Sequence, residues 1–274
     1  MSFTTADVVK LRKVSGAGMM DCKNALKDAE GDFERALEII REKGKLIANK
    51  RADRDAAEGV ALAKVTGDAK FGAIVVLNCE TDFVAKNESY VAFAEKILDA
   101  ALENKVESLE ALKALELDGS TVEALVTNQT GVTGEKLDLS YFKSLADEAV
   151  VPYIHPGNKL ATLVSFNKTT EEQVGKDIAM QIAAMIPVAI DKDSIPQAEI
   201  DKELAFAMEK YRNEGKPEAM LEKIAQGSLN KWYKDVTLLN QAYVKDNKMS
   251  IKEFLKSSDA GLTVTAFDRY SLNA

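Results

Sequence analysis

The stretch Gly59-Val60-Ala61-Leu62-Ala63-Lys64-Val65-Thr66, Gly67-Asp68-Ala69-Lys70, Phe71-Gly72-Ala73-Ile74-Val75-Val76-Leu77-Asn78, Cys79-Glu80-Thr81-Asp82-Phe83-Val84-Ala85-Lys86-Asn87 decides the fold. Two β-type runs flank a four-residue turn, which predicts an antiparallel hairpin. A helix follows from about Glu88 to Leu102, with Val91, Ala94, Ile97, Leu98 and Ala101 at helical spacing. Asn87 is its expected N-cap. Two further short helices are expected over 107–130, separated by Leu117-Asp118-Gly119.

Downstream the pattern returns. Leu137 to Leu145, Val150 to Ile154 and Lys159 to Phe166 read as strands, and Glu171 to Met185 as a helix. An offset of 89 residues places Lys70 on Lys159, Ile74 on Leu163, Val75 on Val164, Leu77 on Phe166, Phe93 on Ile182 and Ile97 on Ile186. The hairpin and helix thus form a weak internal repeat. Antiparallel sheets with helices on one face make the class α+β.

Upstream, residues 5–43 read as three short helices. Gly16 and Gly18 end the first, Met19 to Ala29 form the second, and Asp32 caps the third. Phe33, Ala36, Leu37 and Ile40 share the third helix's face, and Gly44 is its expected stop. Lys45 to Glu58 reads as a helical or mobile linker. Near the C-terminal end, 199–232 reads as an antiparallel helical hairpin. Its expected seam joins Ile200, Leu204, Met208 and Tyr211 to Leu221, Ile224, Ser228 and Trp232. A short helix from Ile251 to Lys256 and a strand from Gly261 to Tyr270 follow. The expected divisions are 1–54, 55–139 and 140–274.

The chain has 274 residues, 46% of them hydrophobic, enough for a sizeable core in about two domains. The longest apolar runs are strand-length, so no membrane span is expected. Met1-Ser2-Phe3-Thr4 opens neither a signal nor a transit peptide, and a cytoplasmic protein is expected. Cys22 and Cys79 lie far apart and read as two small buried thiols; no disulfide framework, metal site or cofactor is expected. Residues 1–54 carry 12 Lys and Arg against 9 Asp and Glu, while the whole chain is at −8. An acidic body argues against wrapping by nucleic acid. The basic N-terminal unit either docks on an acidic protein surface or is a solvated face.

The sequence holds no phosphate loop, nucleophile elbow or HExxH, and one histidine, His155. Beside Pro156-Gly157, that ring reads as a turn residue bonding nearby backbone. Met19 and Met20 cannot both face one core, since helix neighbours point about 100° apart; at least one is expected at the surface. Phe83 has two readings, a core plug or a tip that enters another protein, and Asp82 reads as a local cap or as part of that tip.

Gly16 to Leu26 and Thr81 to Asn87 resemble the two signatures of the elongation factor Ts family, and His155 falls where that family has its histidine. The likeness runs from about Leu11 to Tyr270. It implies a ubiquitin-associated-like three-helix domain and two related core subdomains, the second interrupted by the hairpin. It also implies guanine-nucleotide exchange on elongation factor Tu, a GTPase holding GDP and Mg²⁺, without covalent chemistry. By resemblance, Arg12, Met19 and Met20 hold the N-terminal domain on the partner. Thr81, Asp82, Phe83 and Val84 disturb its Mg²⁺ and phosphate site, and His155 and Gly157 contact another of its domains. Some members continue into a C-terminal helical module, whereas this sequence stops at Ala274. Self-association and the role of the hairpin stay open. A salt-sensitive RNA-binding module and a carboxylate enzyme are the competing functions.

Overall fold

The computed structural model describes residues 3–273; Met1, Ser2 and Ala274, which bear on the expectations for the two chain ends, lie outside them. Three helices come first: α1 (Thr5–Ser15), α2 (Met19–Asp28) and α3 (Phe33–Lys50). The Thr4 and Asp32 side chains accept N–H groups at the starts of α1 and α3, satisfying donors the helices cannot. Val8, Leu11, Cys22, Ala25, Leu26 and Ala36 are buried together, with Phe33, Leu37 and Ile40 packed against them. Val9, on the opposite side of α1, is exposed.

The hairpin is β1 (Glu58–Val65) and β2 (Phe71–Cys79), followed by α4 (Asp82–Ala85) and α5 (Glu88–Glu103). Next come α6 (Leu109–Ala114), a small ribbon of β3 (Glu116–Leu117) and β4 (Ser120–Thr121), α7 (Val122–Thr133) and β5 (Asp138–Ala146). The separator expected at 117–119 is the turn of that ribbon. A second set follows: β6 (Ala149–Ile154), β7 (Leu160–Phe166) and α8 (Glu172–Met185). The chain then forms α9 (Gln197–Asn213), α10 (Glu218–Val236), β8 (Ala242–Tyr243), β9 (Asp246–Ser250), α11 (Ile251–Ser258) and β10 (Val264–Ser271). Helices and antiparallel sheets make this an α+β protein.

Two three-stranded antiparallel sheets, β1-β2-β5 and β10-β7-β6, form the centre. Strand alternation divides their side chains. Val75, Leu77 and Phe142 face α5, α6 and α7, with Tyr90, Ala94, Ile97, Leu98, Leu112 and Val126 in one core. Val164 and Phe166 face α8 and α11 in another. The remaining faces meet each other through Ala61, Ala63, Ile74, Val76, Val150, Ala161 and Leu163. Positions 89 apart therefore play matching roles in the strands: Ile74 and Leu163 lie between the sheets, while Val75 and Val164 lie under helices. The helices keep that register only in part. Ala94 and Ala183 are both buried, but Ile97 is fully buried where Ile186 caps α8 with φ 47° and is 56% exposed. The connection after β7 spans 167–171, whereas that after β2 spans 80–87 and contains α4. The longer connection is one of the features by which the first unit departs from the second.

Gly44 does not stop α3. The helix continues to Lys50, because Gly44 is the point where α3 crosses α7. A Cβ placed on Gly131 of α7 would lie 2.5 Å from Gly44 Cα, so the two backbones touch where neither residue has a side chain. Burial of Gly44 against α7 outweighs its poor helix propensity. The rest of the expected linker is anchored: Lys136 Nζ donates to the carbonyls of Ala52 (2.7 Å) and Arg54 (2.9 Å). In the α9–α10 hairpin the seam is rotated from its expected line. Ala207, Leu221, Ala225 and Leu229 are buried, while Ile224, Ser228 and Trp232 flank them half-exposed. The small Ala207 and Ala225 let the helices approach, which a search for large apolar residues overlooks.

The sheets are also joined by a carboxylate. Tyr141 Oη on β5 donates to both oxygens of Asp268 on β10, at 2.8 and 3.0 Å. Burial raises the Asp268 pKa above its ordinary value, outweighing the Tyr141 hydrogen bond and the Lys143 charge. A carboxyl with a raised folded pKa contributes stability below its unfolded pKa and loses it as pH rises through the folded value. Asp268→Asn keeps an acceptor for Tyr141 without the charge. It should therefore melt higher than the parent chain at pH 7, with the gain vanishing by about pH 4, near the unfolded carboxyl pKa. Thermal melts across that range check this; equal melting temperatures at pH 7 would refute it.

Candidate protein-binding site

The connection 80–87 is short, polar at its base and apolar at its tip. Thr81, in extended conformation, caps α4, its hydroxyl accepting from Val84 N. The hydroxyl proton goes to Glu135 Oε1 (2.6 Å), and Thr81 N donates to Glu135 Oε2 (3.0 Å). Cys79 Sγ donates to the Thr81 carbonyl at 3.2 Å. Burial pushes that thiol up to about 11, so it stays protonated and serves as a donor. Asn87 caps α5, accepting from Ser89 N at 2.9 Å. Val84 is half-buried against the core and Ala85 is buried.

Between these anchors Phe83 is 83% exposed, more than any other large hydrophobic residue among those described. The core-plug reading is thereby overturned. On a single turn of helix the side chains of Phe83 and Ala85 cannot share a face, and Ala85 takes the inward one. The local-cap reading of Asp82 fails as well, since Thr81 occupies the cap. Asp82 instead accepts from Lys86 Nζ at 2.5 Å, one turn on, which lowers its pKa.

His155 and Gly157 sit in the β6–β7 turn. His155 N donates to Leu160 O and Asn158 N to His155 O, both turn bonds. The imidazole is exposed, and its Nδ1 meets Tyr153 Oη at 2.9 Å, not a backbone group as the sequence implied. Gly157 takes φ 93°, a conformation that side-chain-bearing residues rarely adopt. This turn is tied to the hairpin's first strand, because Ala61 N donates to Asn158 O and Lys159 pairs with Glu58 at 2.8 Å. Lys159 also helps lower the Asp82 pKa. The charge of Lys159, at the end of this turn, thus reaches the Asp82 carboxylate beside Phe83.

Arg12, Met19 and Met20 lie on the three-helix unit. Arg12 lies exposed in the last turn of α1, and Met19 and Met20 open α2 with 40% and 63% exposure. Cys22, Ala25 and Leu26 take the inward face of α2, leaving both methionines outside. A cleft of about 480 Å³ between this unit and α5–α7 is lined by Val14, Leu37, Ile40 and Phe93, and none of the expected site residues reaches it. Sequence reasoning missed Arg51, Glu80, Glu135 and Lys136 at the base of the tip. Nothing in the local pattern places residues 135–136 beside 80–81; only the β2–β5 pairing does.

Exposed apolar side chains on fixed polar mounts are the makings of a protein-binding surface. The family model described as "Elongation factor TS" matches residues 80–274. A protein named Elongation factor Ts from Porphyromonas gingivalis is 50% identical over 275 residues, covering all of both chains. The same name is carried by a 51% identical protein of Amoebophilus asiaticus, again over the full length of both, and by a 40% identical one of Bacteroides fragilis. The chain belongs to the elongation factor Ts family. Among the described residues, no helix is long and apolar enough to cross a membrane.

Proposed function

We propose that this chain is a guanine-nucleotide exchange factor of translation elongation that works in the cytoplasm. It binds elongation factor Tu in the GDP form and promotes GDP release, so that GTP can enter. The observation that carries the reading is Phe83, a large apolar side chain 83% exposed on a turn anchored at both ends. Such a side chain gains about 1.5–3 kcal/mol when a partner covers it.

Phe83 enters between helices of the partner near its Mg²⁺ site, with Thr81, Asp82 and Val84 around it. Mg²⁺ demands near-ideal octahedral geometry, so a small displacement of its ligands is costly. Without the ion the diphosphate charge is poorly neutralised and GDP leaves. No bond is made or broken in the nucleotide. Factor and nucleotide each weaken the other's binding by the same ratio, as linkage requires. Arg12, Met19 and Met20 dock the three-helix unit, taken as a ubiquitin-associated-like domain over 1–54. The divisions 55–139 and 140–274 are two related core subdomains, and His155 with Gly157 in the second sets the angle of approach.

The test is stopped-flow dissociation of a fluorescent GDP analogue from elongation factor Tu. The chain should accelerate release in a saturable manner. Unchanged release would reject the exchange function.

A further inference from the structure

Resting on that reading, we infer that Glu80 and Glu135 form a reciprocal clasp that positions Phe83, with Glu135 as its principal positioning residue. The clasp is legible from its bonds. Glu135 takes the backbone N–H of Thr81, the residue after Glu80, at 3.0 Å. Glu80 takes the backbone N–H of Lys136, the residue after Glu135, at 2.6 Å. Each carboxylate thus satisfies the donor beside the other, and each is acceptor-only when ionised, so the exchange is complete in one arrangement. Glu135 takes the Thr81 hydroxyl as well. That bond orients the oxygen which caps α4.

A four-residue helix cannot hold itself, because nucleation costs more than so few bonds return. The direction of Phe83 is therefore set by what grips the ends of α4. The downstream end is gripped by Asn87 N bonding Val84 O and by the start of α5. The upstream end is gripped by Glu135. Glu135 emerges where α7 closes on Gly134, and its own N–H is held by Thr133 Oγ1 at 3.3 Å. The second carboxylate reaches the N-terminal unit: Arg51, which caps α3, donates one nitrogen to both Glu80 oxygens at 2.7 and 2.8 Å. The Lys136 N–H holds the Glu80 carboxyl below its usual range, with Arg51 adding to this. The clasp thus lies where the last helix of the docking unit, the end of α7 and the Phe83 turn converge.

The experiment uses the full chain and GDP release from elongation factor Tu across factor concentrations. Glu135→Gln keeps the shape but presents an amide donor where two donors already point. The maximal release rate should fall about tenfold, the scale for losing hydrogen bonds to a charged group. The half-saturating concentration should change by less than about twofold, since docking residues elsewhere are untouched. Glu135→Asp, which keeps the charge with a shorter reach, should fall between the two. A double variant with Phe83→Ala should be no slower than Phe83→Ala alone, because a positioning residue has nothing left to position. Thermal melting of each variant guards against unfolding. An unchanged maximal rate, a loss confined to half-saturation, a loss that follows lowered melting, or a further loss in the Phe83→Ala background would each overturn the clasp. If Phe83→Ala itself releases GDP normally, the wedge reading fails and the clasp falls with it. A defective Phe83→Ala beside a normal Glu135→Gln removes the clasp alone.

Discussion

Phe83→Ala lowers the maximal rate of GDP release from elongation factor Tu by roughly 10- to 100-fold and leaves the melting temperature of the free factor unchanged. The two halves of this expectation have one cause. An 83% exposed ring contributes almost no burial to the free fold, so its removal leaves no cavity. In the proposed mechanism its apolar surface is covered only once the partner has opened, and that burial is worth about 1.5–3 kcal/mol, or roughly one to two powers of ten in rate. The loss should fall on the maximal rate because the proposed wedge assigns the interaction to the displaced state of the Mg²⁺ site and not to docking. Alanine keeps the α4 backbone, so the Thr81 cap and the Asp82–Lys86 pair remain. Stopped-flow release curves at saturating factor measure the rate, and calorimetry measures the fold. Equal stimulation by both proteins removes Phe83 from the mechanism; a lower melting temperature would mean the ring packs inside after all.

The scaffold was legible because its signals are local. The apolar β-type runs in 59–78, the turn between the strands and the Asn87 cap each act within a few residues, and all appear where expected. The strand repeat was legible for the same reason, since Ile74 and Leu163 meet in one inter-sheet cluster. Features decided by long-range packing were not. Gly44 carries a stop signal by propensity, and only the approach of Gly131 on a distant helix cancels it. The hairpin seam depends on which residues are small enough for close approach, and Ala207 and Ala225 carry little signal of their own.

At the candidate site, residue chemistry alone favoured a buried Phe83, since phenylalanine is usually inside. What reverses this is the combination of Thr81 capping a single turn and Ala85 taking its inner face. The Glu135 carboxylate that holds Thr81 comes from 54 residues away and carries no local signal. Likeness to a family marked the segment; the bonding pattern supplies the reason its tip faces outward. The connection that breaks the 89-residue register is the same segment. The central strands repeat, and one departure from repetition carries the exposed ring.

Met20→Asp raises the Kd for elongation factor Tu by about 100-fold and leaves the maximal release rate at saturation near that of the parent chain. Met20 is 63% exposed at the start of α2, whose inward face is made by Cys22, Ala25 and Leu26, so the three-helix core does not depend on it. A flexible thioether suits a surface that adapts to another protein. Replacing it with a carboxylate removes apolar burial and forces a charge into the contact, two penalties whose sum is on the scale of an interface hot spot, roughly 2–4 kcal/mol. The N-terminal unit is the basic part of an otherwise acidic chain, and the added negative charge lowers its attraction for any acidic surface it meets. The helix itself should tolerate the change, because an acidic residue in the first turn interacts favourably with the N-terminal end of the helix dipole. The rate is spared because α2 packs on α1 and α3 and makes no bond to the Glu80–Glu135 clasp. Titration calorimetry gives the affinity and stopped-flow release at saturating factor gives the rate. An unchanged Kd counts against the docking surface, and a rate lost at saturation would mean that docking and release cannot be separated along the chain.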